Sequence, residues 1–318
     1  MASTPNSLIM GVAAGYKNDL ILPFLKSLKA TRYAGKVCLF VSEVDDVAMT
    51  ELKSYADDVV RLDGIYGGEM SRLGLNSYAR WLAKVRVTRR IRRLYPTLFQ
   101  AALVAARGNH RQSLRLDLEQ SLEGFQSLRY RHYLSFLEEH APNADYVMLS
   151  DVRDVLFQED PFNHIFENDL EVFLEAEHLK VGQEPFNSRW IKDLYGHEAL
   201  SKIGAFTISC SGTTIGTGNG VRRYLAKMSA EVAEQTRPLG SHDQGIHNYL
   251  LRNGLLDPVT IYTNGQGPVL TMSIGYGYQQ NSEGRLVNDD QSVVPVVHQY
   301  DRHQNLAKQI YQSLMSQG

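Results

Sequence analysis

The first sixty residues alternate between short apolar runs and amphipathic stretches. Apolar runs of strand length occupy Ser7 to Ala14, Val37 to Val41 and Val59 to Leu62, and helices are predicted from about Leu20 to Ala30 and from Asp46 to Tyr55. A strand–helix–strand order predicts a parallel sheet, because the helix returns the chain to the end of the sheet where the first strand began, and the next strand then runs in the same direction. We therefore expect an α/β protein with a Rossmann-like, mostly parallel sheet flanked by helices.

Two carboxylates follow a strand in the middle of the chain. A predicted helix from Gln126 to His140 leads into the apolar run Tyr146 to Leu149, and Asp151 and Asp154 come directly afterwards. Ligands of open α/β sheets lie beyond the carboxyl ends of strands, and a divalent cation that carries a diphosphate is usually held by one or two carboxylates. The spacing is equally consistent with an ion pair between Asp151 and Arg153 and a turn capped by Asp154.

Two later stretches also combine apolar runs with special residues. The stretch from Phe206 to Gly220 is predicted as a strand that runs into a glycine-rich turn, followed by a helix from Val221 to Thr236. His298 ends an apolar run, where a metal ligand from a distant part of the chain could be supplied. A lone histidine at a strand end is more often a hydrogen-bonded core residue.

A third stretch, from Ser241 to Asn248, opens a predicted helix. Ser241 and Gln244 have the spacing of a capping box, which places Asp243 and Gln244 in the first helical turn. Capping alone would explain these residues, so the spacing by itself does not establish a site.

The chain lacks the common phosphate-binding loops but contains a strongly basic span. It has neither Gly-x-Gly-x-x-Gly after the first strand nor Gly-x-x-x-x-Gly-Lys-Ser/Thr, so a bound nucleotide would need a metal ion or basic side chains. From Met70 to Leu116 there are eleven Arg and Lys residues and no Asp or Glu. This span predicts a helical insertion at about 70–125 that faces donor phosphates, an acidic acceptor or, by peripheral contact, a membrane surface. The alternative is a solvated face that pairs with acidic residues elsewhere.

Composition sets limits on the class of protein. The 318 residues and 43% apolar content fit one elaborated domain spanning 1–318, and the net charge of −2 gives no overall field for nucleic acid. Cys38 and Cys210 lie in apolar runs and are predicted to be buried thiols in a reducing compartment. The N-terminal residues have no leader pattern, and no run of 18 apolar residues occurs, so a cytoplasmic location is expected.

Five short motifs, in order along the chain, carry a family resemblance. They are Gly15-Tyr16, Asp151-Val-Arg-Asp154, Cys210-Ser211-Gly212, Asp243-Gln-Gly-Ile-His-Asn248 and His298. With these motifs the chain resembles GT-A fold glycosyltransferases and is most similar to the glycogenin-like retaining enzymes. It departs from their pattern in three places: the acidic motif is Asp-x-x-Asp instead of Asp-x-Asp, Cys210 replaces an Asn, and the residues after His298 differ.

The resemblance implies transfer of a sugar from a UDP- or GDP-sugar to an acceptor hydroxyl. It implies a Mn²⁺ or Mg²⁺ ion held by Asp151, Asp154 and His298, and catalytic roles for Asp243 and Gln244. The donor contacts that it implies are Ala14, Gly15, Tyr16, Arg129, Asp151, Ser211 and Gly212. A catalytically inert nucleotide-sugar-binding module of the same fold is the alternative. A phosphotransferase with Asp151 as nucleophile is disfavoured, because Arg153 stands where the partner acid is usual.

Overall fold

The structure is a computed structural model that describes residues 6–14, 16, 18–42, 44, 46–62, 125–235 and 242–316. Gly15, Ser241 and the basic span lie outside the described residues. The predicted helical insertion at about 70–125 therefore remains a prediction, as does the single domain spanning 1–318.

Strands and helices alternate along the described chain. The strands are β1 (Ser7–Ala14), β2 (Lys36–Ser42), β3 (Asp58–Arg61), β4 (Tyr146–Asp151), β5 (Val155–Phe157), β6 (Leu170–Leu174), β7 (Ser209–Thr217), β8 (Thr260–Tyr262), β9 (Val269–Thr271), β10 (Gln279–Gln280), β11 (Leu286–Val287) and β12 (Val296–His298). The helices are α1 (Asn18–Ala30), α2 (Asp46–Tyr55), α3 (Phe125–Glu139), α4 (Pro185–Ile203), α5 (Gly218–Glu234), α6 (Asp243–Arg252) and α7 (Gln304–Ser316), with a short 3₁₀ helix at Tyr300–Arg302.

Seven strands form the central sheet in the order β3-β2-β1-β4-β7-β6-β8. Neighbours are parallel except around β7, which runs antiparallel to both β4 and β6. The predicted α/β class and mostly parallel sheet flanked by helices are confirmed.

The strand period of two explains how the sheet buries both of its faces. Along β1, Leu8 and Met10 pack on the side that also holds residues of α3, α5 and α6. Ile9 and Ala13 pack on the opposite side with residues of α1 and α2. Because β1 is buried on both faces, it has the continuous apolar sequence that is typical of a central parallel strand.

A second, three-stranded sheet brings the end of the chain back to the central sheet. In it β12 pairs antiparallel with β5 and parallel with β9. Since β5 comes shortly after β4, this pairing carries β12 to the carboxyl end of β4.

The structure corrects the prediction for the glycine-rich stretch. Instead of turning at Ser211 and Gly212, the chain continues as the nine-residue strand β7 through Thr217, and all but its last residue are buried. The glycines permit this close packing. A Cβ atom on Gly216 would lie against the main-chain oxygen of Asp169. Helix α5 accordingly begins at Gly218 instead of Val221.

Cys38 and Cys210 are both free and buried, as the sequence predicts. Among the described residues, no helix combines the length and the apolar character that crossing a membrane would require.

Candidate functional site

The candidate site lies where the order of the central sheet reverses. From β1 the chain moves to β2 and β3 on one side, and β4 then pairs with β1 on the other side. In open α/β sheets, the crevice at the carboxyl ends of two such strands is the usual ligand site. Here Ala14 ends β1 and Asp151 ends β4, so both lie at this edge.

Three predicted metal ligands meet at this edge. Asp151 is the last residue of β4, Asp154 lies in the link to β5, and His298 is the last residue of β12. The antiparallel pairing sets His298 opposite Val155, and the main-chain N–H of Gln299 donates to the carbonyl oxygen of Asp154 at 2.7 Å. One ligand atom from each of Asp151, Asp154 and His298 lies within 4.8 Å of the others.

The cluster has room and unused ligand capacity for a cation. Nε2 of His298 lies 3.7 Å from Asp151 Oδ2 and 3.7 Å from Asp154 Oδ1. This buried nitrogen has no hydrogen-bond partner among the described residues. A Cβ atom on Gly212 would lie 2.6 Å from Asp151 Oδ2 and 2.7 Å from His298 Nε2. Glycine therefore keeps open the space between these groups. Two carboxylates and an imidazole nitrogen fit a divalent ion such as Mn²⁺.

The charges of the cluster also favour a cation. Burial raises the pKa of Asp154, and the neighbouring Asp151 and Asp301 carboxylates raise it further. Burial also opposes ionisation of Asp151, but Arg129 and His298 bring the pKa of Asp151 well below its usual range. Burial favours neutral His298, yet the thiol of Cys210 and the two carboxylates raise the pKa of the imidazole. A bound divalent ion would compensate the negative charge without protonation.

The alternative ion pair between Asp151 and Arg153 does not form. Arg153 Nη2 lies 3.1 Å from Asp301 Oδ2 and 3.6 Å from Asp154 Oδ2. Asp151 instead pairs with Arg129 of α3, whose Nη1 donates to Asp151 Oδ1 at 2.5 Å.

Arg129 connects the metal-ligand cluster to Asp243 at the start of α6. Its Nη2 donates to Asp243 Oδ2 at 2.9 Å and to the carbonyl oxygen of Ser211 at 3.2 Å, and only 6% of the residue is exposed. Asp243 Oδ2 also accepts from the hydroxyl of Tyr130 at 3.1 Å and from that of Ser211 at 3.4 Å. Arg129 is therefore a buried clamp between two carboxylates.

Gln244 follows Asp243 and joins three elements at the same edge. Its Oε1 accepts from Ser211 N at 3.4 Å, and its Nε2 donates to Asn187 Oδ1 at 3.2 Å and to Glu175 Oε1 at 3.4 Å. Glu175 directly follows β6, and its pKa is raised mainly by burial. The amide of Gln244 thus forms part of the wall of the site.

The other residues of the Asp-Gln-Gly-x-x-Asn motif fix the position of α6. Asn248 accepts from Ser209 N at 2.9 Å and donates to Ser209 O at 2.8 Å, which ties the helix to β7. Gly245 lies so close to α4 that a Cβ atom there would be 2.9 Å from the Cβ of Trp190. The motif therefore combines two residues that line the site with two that hold the helix in place.

The described residues place the start of α6 later than the predicted capping box does. Helix α6 begins at Asp243, its N-cap residue is His242, and His242 makes no side-chain capping hydrogen bond. Among the described residues, the amide of Gln244 bonds to Ser211, Asn187 and Glu175. Ser241 itself lies outside the described residues.

The predicted donor residues largely converge. Tyr16 follows β1, and burial, together with the nearby Asp151 carboxylate, raises the pKa of its phenol. Ser211 and Gly212 in β7 line the same edge through their contacts with Arg129 and with the ligand cluster.

Sequence reasoning missed Tyr130 and Asn187. They have no local signal, because only the packing of α3 and α4 brings them to the edge. Glu175 does have a signal, since it follows a buried strand as Asp151 does, and the sequence alone is consistent with a ligand contact or with an ordinary polar residue at the surface. Cys210 of the Cys-Ser-Gly motif also belongs to the site, because its Sγ lies 3.7 Å from Nδ1 of His298, on the side of the ring away from Nε2.

No protein-family model matches the chain, and no curated protein matches it significantly. Solved structures with some likeness include an active-site mutant of LgtC, at 12% identity and a TM-score of 0.47 over 98% of this chain and 95% of that one. Another is the galactosyltransferase LgtC in complex with donor and acceptor sugar analogues, at 13% identity and a TM-score of 0.44 over 96% of this chain and 95% of that one. At such identities, and with TM-scores below 0.5, these likenesses do not assign the chain to a family.

Proposed function

We propose that the protein is a metal-dependent glycosyltransferase of the GT-A type, which moves a sugar from a nucleoside-diphosphate sugar to an acceptor hydroxyl. The observation that carries the proposal is the cluster of Asp151, Asp154 and His298 at the reversal point of the sheet. Its carboxylates, its unpartnered imidazole nitrogen and the space above Gly212 suit a divalent ion. Its place beside the end of β1 suits a nucleotide.

The metal ligands and Arg129 have different tasks in this proposal. Asp151, Asp154 and His298 would hold the ion, and the imidazole nitrogen would favour Mn²⁺ over Mg²⁺. When bound, the ion would act as a Lewis acid that offsets the charge of the departing diphosphate. Arg129 keeps Asp151 ionised and in place, because its guanidinium pairs with that carboxylate.

Asp243 and Gln244 are assigned to the reacting sugar. Loss of the diphosphate leaves positive charge on the sugar, which a fixed carboxylate and a fixed amide dipole can stabilise without reorganisation. Asp243 is held by Arg129 and Tyr130, and Gln244 is held by Ser211 and Asn187. Retention of configuration, as in the glycogenin-like enzymes, is part of the proposal.

The proposal is tested by calorimetric titration with UDP and GDP, with Mn²⁺ and with excess chelator. We expect one nucleotide to bind with Mn²⁺ and to lose at least about tenfold in affinity with chelator, because the ion joins the diphosphate to the carboxylates. Asp154→Ala should lose the same Mn²⁺ dependence. The matched control is Asp169→Ala, which removes a carboxylate that pairs with Arg223 at the surface. Equal affinity with and without chelator would refute the metal-dependent site.

A donor-hydrolysis assay on the same protein separates the enzyme from an inert module. Release of free sugar from the UDP- or GDP-sugar whose nucleotide binds would support the transferase. Binding of the donor without any hydrolysis or transfer would identify a nucleotide-sugar-binding module instead.

A further inference from the structure

Helix α4 exposes an aromatic group beside the candidate site. Phe186 in its first turn is 65% exposed, and its ring centroid lies 6.1 Å from that of the half-buried Trp190. The Trp190 ring in turn lies 6.2 Å from that of His242. We call these three rings, Phe186, Trp190 and His242, the aromatic platform.

The platform is continuous with the residues assigned to the reaction. Between Phe186 and Trp190 on the same helical turns, Asn187 is buried and accepts from Nε2 of Gln244 at 3.2 Å. Trp190 packs against Gly245, and His242 immediately precedes Asp243. The three rings therefore border the wall of the site that Gln244 forms.

The first turn of α4 is held rigidly. The carboxylate of Glu184 accepts from Phe186 N at 3.1 Å, from Asn187 N at 2.7 Å and from Asn187 Nδ2 at 2.7 Å, and Pro185 occupies the first helical turn. These contacts satisfy the helix terminus and hold the main chain that carries Phe186. Because its ring is mostly exposed, Phe186 adds little to the buried core. An exposed ring on a capped helical turn at the border of a site can contact a ligand.

We propose that the aromatic platform binds the acceptor of the reaction and that this acceptor is a saccharide; the proposal rests on the transferase function above. The C–H groups on one face of a pyranose ring carry slight positive charge, and they stack on the negative faces of aromatic rings. A sugar also needs hydrogen-bonding groups beside the rings, and the amide of Gln244 bonds to Asn187, which lies between Phe186 and Trp190 on α4. The patch of two large rings and one imidazole matches one sugar unit, whereas a protein partner would require a broader apolar surface.

The composition of the chain permits a direct binding test. It has two tryptophans, Trp81 and Trp190. In a Trp81→Phe protein, the emission of Trp190 is titrated with lactose, maltotriose and chitotriose, without donor. At least one of these sugars should change the emission saturably. Phe186→Ala on this background should weaken that binding about tenfold, since one of the two large stacking rings is lost.

The control for aromatic loss is Phe206→Ala. Phe206 is also exposed, at 45%, but it stacks on the guanidinium of Arg252 instead of bordering Gln244. It should leave the sugar affinity unchanged. Circular dichroism checks that each variant is folded. An emission that no sugar changes, or equal losses in Phe186→Ala and Phe206→Ala, would overturn the proposal.

Donor hydrolysis keeps this proposal separate from the transferase function. A saturable, Phe186-dependent response in a protein that never hydrolyses any donor would support the saccharide platform and refute the transferase. Hydrolysis and transfer in a protein whose Phe186→Ala variant keeps the wild-type KM for the acceptor would support the transferase and refute the platform.

Discussion

Asp154 and Asp243 are equally buried carboxylates, each 5% exposed, but the protein treats them differently. Asp243 Oδ2 accepts hydrogen bonds from Arg129, Tyr130 and Ser211, the shortest at 2.9 Å. The carboxylate of Asp154 approaches Arg153 Nη2 at 3.6 Å and His298 Nε2 at 3.7 Å, both beyond hydrogen-bond distance. The charge of Asp243 is compensated by the buried guanidinium of Arg129, whereas the Asp154 carboxylate has, among the described residues, only contacts longer than a hydrogen bond.

The difference indicates which part of the site would bind a cation in the proposed function. A buried charge is costly unless it is paired or bound to a metal, so Asp154 favours an ion while Asp243 does not need one. Asp151 belongs to both regions, because Oδ1 pairs with Arg129 and Oδ2 faces His298. Through Asp151, the guanidinium orients one metal ligand while it neutralises the region around Asp243.

The largest expected effect is on the metal region alone. In Gly212→Ala, the new methyl group would overlap the ring of His298 and lie 2.6 Å from Asp151 Oδ2. We expect Mn²⁺ affinity, measured by electron paramagnetic resonance, to fall at least about 100-fold, because the ligands must move apart. Gly277→Ala is the control, since a Cβ atom there meets nothing within 4 Å. Wild-type Mn²⁺ affinity in folded Gly212→Ala would show that the space above Gly212 is not the ion's place.

The second prediction acts on the arginine-paired region. Asp243→Asn keeps an oxygen for Arg129 but removes the negative charge, so turnover should fall about 100-fold or more. The stability cost should be about 1.5–3 kcal/mol in the free energy of unfolding, because one charged hydrogen bond is weakened. Mn²⁺ affinity should change little. Urea unfolding measures the stability, titration measures the Mn²⁺ affinity, and a transfer assay measures the turnover. Asp169→Asn is the control variant in all three. Near-normal turnover would leave Asp243 as a structural partner of Arg129.

The smallest expected effect concerns the far side of the His298 ring. Cys210 Sγ lies 3.7 Å from Nδ1, and a hydrogen bond from Nδ1–H to sulfur would leave Nε2 as the free ligand nitrogen. Cys210→Ala should weaken Mn²⁺ binding roughly tenfold, which is the lower end of the range for losing a group that hydrogen-bonds to a metal ligand. Cys210→Ser, which restores an acceptor, should recover part of the affinity. Equal affinities in Cys210→Ala and wild type would show that sulfur does not orient His298.

Local pattern was enough to predict much of the central sheet. The prediction for β1 agrees with Ser7–Ala14 and that for α2 with Asp46–Tyr55, and the β-α-β-α-β order gives the parallel pairing of β1, β2 and β3. These features depend on side-chain period and on crossover geometry, which the sequence contains directly. The sequence also identifies Asp151 as a carboxylate at the end of a strand.

Other features depend on partners that are distant in sequence. Gly212 lies in a strand instead of a turn because β4 and β6 on either side supply hydrogen bonds to β7. Helix α4 was missed altogether, and so was its link to Gln244 through Asn187. Local propensity cannot show which strand pairs with β7 or which helix packs on α6.

What the sequence alone determined is the set of groups available at the carboxyl edge of the sheet: Asp151, Asp154, His298 and the Asp243-Gln244 pair. Tertiary structure decided how they are paired. The β12–β5 ladder brings His298 to Asp154, and the packing of α3 places Arg129 between Asp151 and Asp243. More than 100 positions separate His298 from Asp154 and Arg129 from Asp243. The pair of Arg129 with Asp151 joins α3 to β4. Whether a buried carboxylate meets a guanidinium or is left for a cation depends on distances of a few ångströms, which are set only when those elements pack together.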